Sequence, residues 1–372
     1  MNHPADIESL PEAARKVLTG PAPMKLMLAR GMAPLPPMAL VSALYALAHD
    51  SDAKLAEAAR TTLTKLPDGV IAGALGHAEL PGAVLDDLAD RFRARGDLLE
   101  SIVRHPNIAD ETLEKIAAHA PESLCELIAT NEQRLLKTPA VIRALYFNKY
   151  LRMSTADRIV ELAARHGLEL DIPGFKDIVA SLKDQLILEP GQESPADTFF
   201  RDALAVAEAV EGETHPDEDV VDRDEEGEEK LKEKFQEVDK RLEDMTVSEK
   251  IRAALIGTPG QRAILVRSPN RMVARAAISS PRMQESEVAK ICASRSVGED
   301  VLRIIADRRD WTRNHQVKVS LVFNPKTPTP SSMRLLPHLR ELDLKNLQRS
   351  KNVPQVLKSS AAALLSKRGG KG

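Results

Sequence analysis

The chain is poor in the residue types that build rigid chemical sites. It holds two cysteines, one tryptophan, three tyrosines and seven phenylalanines in 372 residues. Cys125 and Cys292 are far apart and outside any paired motif, which excludes a disulfide framework and suits a reducing compartment. In SLCELIA and AKICA they fall within apolar helical patterns, so both are expected to be buried, inert thiols. Nine histidines are present, but no CxxC, HxxxH or HExxH occurs, and the usual spacing of a tetrahedral metal site is missing. The turn Gly257-Thr258-Pro259-Gly260 lacks the GK[ST] that a phosphate-cradling loop requires, and the glycines from Gly69 to Gly76 follow a proline turn rather than a strand. No nucleophile elbow or paired-acid arrangement stands out. Charge interrupts every apolar stretch before membrane-spanning length, and MNHPADIESL has no apolar signal core. The expectation is a cytoplasmic, non-catalytic protein with no cofactor, no metal and no membrane span.

With aromatics at 3%, the core must be aliphatic. Leu, Ala, Glu, Lys and Arg dominate, and no window sustains strand alternation, so the predicted fold class is all-α. A twelve-residue phrase recurs. It reads SPRMQESEVAKI from Ser280 and HPNIADETLEKI from His105, each with apolar residues at the fourth, ninth and twelfth places. His77 begins a version without the proline, and Asn324-Pro325 begins one with an inserted residue. The helix before each turn also has a frame. Val273, Ala276, Ile278 and Ser280 share it with Val317, Ser320, Val322 and Asn324, with Ile251, Ala254, Ile256 and Thr258, with Leu98, Ser101, Val103 and His105, and with Leu124, Leu127, Ala129 and Asn131. These spacings put the apolar side chains on one face of a short helix. Neither short helix of a unit can bury its stripe alone, so neighbours must stack. The polar residue at the turn is expected to close a helix end through its side chain, which takes His77 and His105 off the roster of metal ligands. Asp110 and Ser154 are expected helix N-caps, and Gly167 an expected helix stop.

SPNRMVARAAISSPRMQESEVAKI and NHQVKVSLVFNPKTPTPSSMRLL resemble the leucine-rich-repeat-variant type of α-solenoid and, more loosely, HEAT-like solenoids. The array ending DLKNLQRSKNVP is similar to a type found in uncharacterised bacterial proteins. The resemblance implies stacked short helices and a binding or scaffolding habit rather than a reaction.

Charge divides the chain into three expected segments. Residues 1–188 form the first helical array. Residues 189–245 are an acidic linker, expected to be largely disordered, with a short amphipathic helix near 199–210. Residues 246–372 form the second array. From Glu189 to Glu249 there are 7 basic and 22 acidic residues, a net of −15; from Lys250 to Gly372 there are 24 and 8, a net of +16. Arg271, Arg275, Arg308, Arg309, Arg313 and Lys318 are therefore the candidate anion-binding or partner-binding residues, alongside the plainer reading of Lys and Arg as solvated helix faces. Trp311 is expected to be a packing residue. The favoured role is a scaffold or adaptor holding a protein partner, acidic where it meets the array. The alternative is a solenoid that binds nucleic acid through phosphate contacts. A third reading, base-excision chemistry, would need Asp307 or Asp310 in an aromatic-lined cleft. The acidic linker is also placed to fold back on the basic array and compete with an acidic partner, or to act only as a spacer.

Overall fold

The computed structural model describes residues 10–182, 194–212, 218–223, 229–350 and 352–369. The fold is all-α. Among the described residues there are 25 α-helices, and the only strands are the short pair Val221–Arg223 and Glu229–Leu231. Two compact units are present, Met1–Leu151 and Arg152–Gly372.

Within each unit, several helices pack on a helix two or three places further along the chain. In the first unit Asp68–Leu75 packs on Gly96–Val103, which packs on Glu122–Ala129. The intervening helix Gly82–Arg91 packs on Asp110–Ala117, which packs on Pro139–Tyr146. In the second unit Val247–Ile256, Arg271–Ile278 and Glu299–Asp307 follow one another in the same way, as do Pro259–Leu265, Glu285–Ala293 and His315–Phe323. The frame residues Ile251, Ala254, Ile256, Val273, Ala276, Ile278, Val317 and Val322 are all buried. Truncating one such aliphatic residue, Ile278→Ala for example, costs about 2–5 kcal/mol of packing.

The turns carry a second, polar set of links. Asn324 Nδ2 donates to the Cys292 and Ser294 carbonyls at 2.8 and 2.7 Å, and its Oδ1 accepts from the Lys326 N–H at 3.0 Å. Ser280 Oγ donates to the Leu255 carbonyl at 2.9 Å and accepts from the Arg282 N–H. His105 accepts from the Asn107 N–H on Nδ1, which leaves Nε2 to donate to the His77 carbonyl at 3.0 Å. Asn148 Nδ2 reaches the Ala117 and Ala120 carbonyls, and its Oδ1 takes the Tyr150 N–H. Each side chain therefore orders its own turn and bonds carbonyls at a turn or helix end 25–32 residues earlier. The proline at 106, 281 or 325 occupies the second turn position, where its preset φ is compatible.

The expected closure role is thus wider than a single helix end, and it does not extend to every copy. Asn131 instead caps the start of helix Glu132–Lys137, accepting from the Arg134 N–H. His77 is exposed and supplies only its carbonyl to His105. The two expected N-caps also differ. Asp110 lies inside the first turn of its helix and pairs with Arg134 at 2.8 Å, while Ser154 donates both its N–H and its hydroxyl to Asp197. Gly167 does end a helix: at φ 68° it lets Leu168 N bond back to the Ala163 carbonyl in a Schellman turn.

The division between units falls after Leu151 rather than after residue 188. The helices Met153–Arg165 and Phe175–Leu182 pack with Pro195–Gly212 and Val247–Ile256. Their ties are specific. Ser248 Oγ donates to Asp157 at 2.7 Å, and the fully buried Arg252 lies over the Phe200 ring and beside the Met153 sulfur.

Of the expected acidic linker, 189–193, 213–217 and 224–228 lie outside the described residues. The rest is folded, against the expectation of a largely disordered spacer. Helix Pro195–Gly212 buries Phe200, Ala203 and Ala207. Phe235, Val238, Leu242 and Met245 are buried before, along and after helix Gln236–Glu243. Few apolar residues suffice because each short element buries only one narrow face, and acidic side chains are met by Lys232 and Lys234 of the same segment, by Arg267 and by N–H and hydroxyl groups.

Candidate anion-binding surface

Three of the six cations singled out in the sequence share one cleft. Arg309, Arg313 and Lys318 line one open cleft of about 630 Å³, together with Arg334, His338 and Asp307. Helix Arg309–Thr312 presents Arg309 outward, and Arg313 follows one turn later as its C-cap. Lys318 comes from helix His315–Phe323, and Arg334 from helix Thr329–Leu335. Arg334 is tied to Asp307 and to the Ala306 carbonyl, while Arg313 approaches Asp310 at 3.7 Å with both side chains over 80% exposed. Such exposed pairs are weak and yield readily to a competing anion.

The other three cations lie outside that cleft. Arg271 pairs with Asp300 at 3.1 Å, and Arg275 faces Asp177 at 3.9 Å. Arg308 turns onto Trp311, its guanidinium 4.3 Å from the ring centre. Trp311 is half-buried under that cation. The two carboxylates weighed for base-excision chemistry are surface groups in these ion pairs: Asp307 is about half exposed and Asp310 almost fully exposed. Cys125 and Cys292 are buried free thiols, and burial pushes the Cys292 thiol far up. Among the described residues no group of three or more His, Cys, Asp or Glu side chains is placed to hold a metal, and no helix is long and apolar enough to cross a membrane.

A second set of anion contacts was only partly legible in the sequence. Here parts of the acidic segment meet the helices Pro259–Leu265 and Glu285–Ala293. Gly260 N donates to Glu211 at 3.1 Å, and Lys290 Nζ donates to the Glu218 carbonyl at 3.0 Å. The Glu218 carboxylate, bonded by Lys232 and Lys234, is held down to about 2 by those two ammonium groups. Arg267 stands within 4 Å of both Asp219 and Glu229.

Glu229 makes the most complete of these contacts. Its Oε2 accepts the Ser294 hydroxyl at 2.6 Å, the Ser296 hydroxyl and the Ser296 N–H; its Oε1 accepts the Arg295 N–H at 3.1 Å. Only 4% of its side-chain surface is exposed. Burial alone pushes this carboxyl up, but the two hydroxyls, the Arg295 N–H and the Arg267 charge outweigh it and hold the group at about 2. Gly260 is needed for the close approach of Glu211 and Phe235 to the start of helix Pro259–Leu265. A Cβ there would stand 2.9 Å from both the Glu211 carboxylate and the Phe235 ring.

The acidic run and the basic array were visible as charge totals. The receiving serines were not, because Ser294 and Ser296 gain their meaning only from the turn that brings two hydroxyls and two N–H groups together. Comparison with protein-family models, curated proteins and solved structures finds no match to this chain.

Proposed function

We propose that this chain is a non-catalytic helical-repeat scaffold that holds an acidic segment of a partner protein on the cations of its second unit. We further infer that its units are repeat stacks of the leucine-rich-repeat-variant or HEAT-like kind, on the strength of the shared turn links and the recurring helix packing. The observation that carries the binding role is the open cleft of Arg309, Arg313, Lys318 and Arg334, in which Asp307 is the only acidic side chain. The chain's own acidic segment, lying against cations and N–H groups of the same unit, supports an acidic polypeptide as the class of ligand.

The second reading is a nucleic-acid backbone, favoured by the exposure of Arg309 and Arg313 on one open surface. The two readings separate on salt and on sequence context. Phosphate contacts release condensed counterions and weaken steeply with salt. Titrating the full chain with a labelled Glu-rich peptide and with duplex DNA or RNA, from low to moderate salt, discriminates them. Peptide binding that persists at moderate salt and is lost in Arg309→Glu with Arg313→Glu supports the scaffold. Duplex binding lost in the same variant, with no peptide binding at any salt, favours the nucleic-acid reading and overturns the first.

A further inference from the structure

We propose that the Ser294–Ser296 turn with Arg267 is a receptor for a carboxylate-bearing peptide, and that Glu229 is the chain's own exchangeable ligand in it. The inference rests on the reading of the second unit as a receptor for acidic protein segments, and names a site for it distinct from the open cleft.

Three observations carry it. The first is the completeness of the site. Two hydroxyls, two backbone N–H groups and a guanidinium converge on one carboxylate, with both oxygens served by different donors. That is the arrangement of a built anion site, in which charge-assisted hydrogen bonds exceed neutral ones in strength. The second is the way the ligand is delivered. Glu229 begins the strand Glu229–Leu231, paired antiparallel with Val221–Arg223, and reaches in from an extended backbone. A two-stranded ribbon of three residues per strand has little stability of its own. Its apolar anchor is small, with Val220, Val221 and Phe235 forming one buried cluster. The third is the seam beneath it. A cavity of about 280 Å³ remains between Val220 and Phe235 on the covering side and Ala263, Gln284, Lys290 and Ile291 on the helices. Interiors evolved as permanent core are close-packed. This seam combines a small apolar cluster, packed on Ala263 and Ile264, with polar contacts beside unfilled space, which suits a cover that exchanges.

The ligand class follows from depth and shape. The donors serve the two oxygens of a carboxylate at the reach of a Glu side chain, so an acidic peptide in extended form presents what Glu229 presents. Because the internal ligand is tethered, its effective concentration is high, and a free peptide binds well only when the tether is weakened.

The test uses the full chain and a labelled synthetic peptide of residues 218–234, read by fluorescence anisotropy. In the wild type the peptide binds weakly. In Glu229→Lys, which sets a cation against Arg267, affinity rises by about ten-fold or more as the internal competitor is lost. Adding Ser294→Ala and Ser296→Ala returns it to the wild-type level, and a peptide carrying Gln at position 229 binds weakly throughout. Gly260→Val is the second releasing variant, since it crowds Glu211 and Phe235 without touching the receptor. Amide hydrogen exchange gives an independent readout. The Arg295 and Ser296 amides exchange slowly in the wild type, fast in Glu229→Lys, and slowly again with peptide. If helical content is retained and neither releasing variant binds tighter than the wild type, the proposal is overturned. If the gain is abolished by Arg309→Glu with Arg313→Glu but not by the serine pair, the receptor is wrong while the cleft reading stands.

Discussion

Asn324 donates its side-chain amide to the Ser294 carbonyl at 2.7 Å, and the hydroxyl of the same Ser294 donates to Glu229 at 2.6 Å. The turn at Asn324 therefore fixes the turn that receives the acidic segment. Asn324→Ala leaves the Cys292 and Ser294 carbonyls without their buried donor, at a cost of about 1–3 kcal/mol. Urea denaturation reads the loss, and Asn324→Ser, which copies the chemistry of Ser280, recovers part of it. Faster exchange of the Arg295 and Ser296 amides in Asn324→Ala is the accompanying local effect.

A buried ion pair offers a separate test of packing. Arg262 meets Glu287 through two bonds of 2.9 and 2.8 Å, with side-chain exposures of 3% and 12%, and also donates to the Gly257 carbonyl. Arg262→Ala strands the Glu287 carboxylate and destabilises the second unit by about 3–5 kcal/mol. Replacing both, as Arg262→Met with Glu287→Leu, restores most of that loss in the same denaturation experiment, because two desolvation penalties vanish together.

Much of this architecture was legible in the sequence, and the reasons are specific. Val273, Ala276 and Ile278 announced a buried face because helix period and burial coincide there. Asn148 fits the same frame behind Val141, Ala144 and Tyr146, yet lacks the following proline, and so escaped notice until its bonds to Ala117 and Ala120 were seen. The division after Leu151 was not visible because composition is continuous there, whereas the ties from Asp157 to Ser248 and from Asp197 to Ser154 are made by single polar atoms far apart in sequence. The division of the six cations between the cleft and separate ion pairs was hidden for a related reason. One-dimensional charge totals do not tell which Arg already faces Asp177 or Asp300.

Two carboxyls give stability opposite dependences on pH. Burial among the Val247–Ile256 helix residues raises Asp157 from an ordinary 3.8 to about 7; the Ser248 hydroxyl and Arg252 oppose the rise, and Glu249 and Asp197 add to it. A group with a raised folded-state value holds its proton on folding. Its contribution is therefore fullest below about pH 4 and declines as pH climbs toward 7. Glu229 is depressed from 4.5 to about 2, so its contribution is present above 4.5 and is lost as pH falls through that window. Thermal melts at closely spaced pH values separate them. Asp157→Asn flattens the decline between pH 4 and 7 and raises stability near neutrality by on the order of 1–3 kcal/mol. Glu229→Gln removes the loss on the acid side.

The central claim is that acidic polypeptide is what the second unit recognises. It is tested most directly by photocrosslinking in cells from a photoreactive residue placed at Thr312, which lines the cleft between Arg309 and Lys318. Adducts mapped by mass spectrometry are predicted to fall on Asp- and Glu-rich protein segments and to disappear when Arg309→Glu and Arg313→Glu are introduced together. Adducts to nucleic acid, or protein adducts unchanged by that double reversal, contradict it.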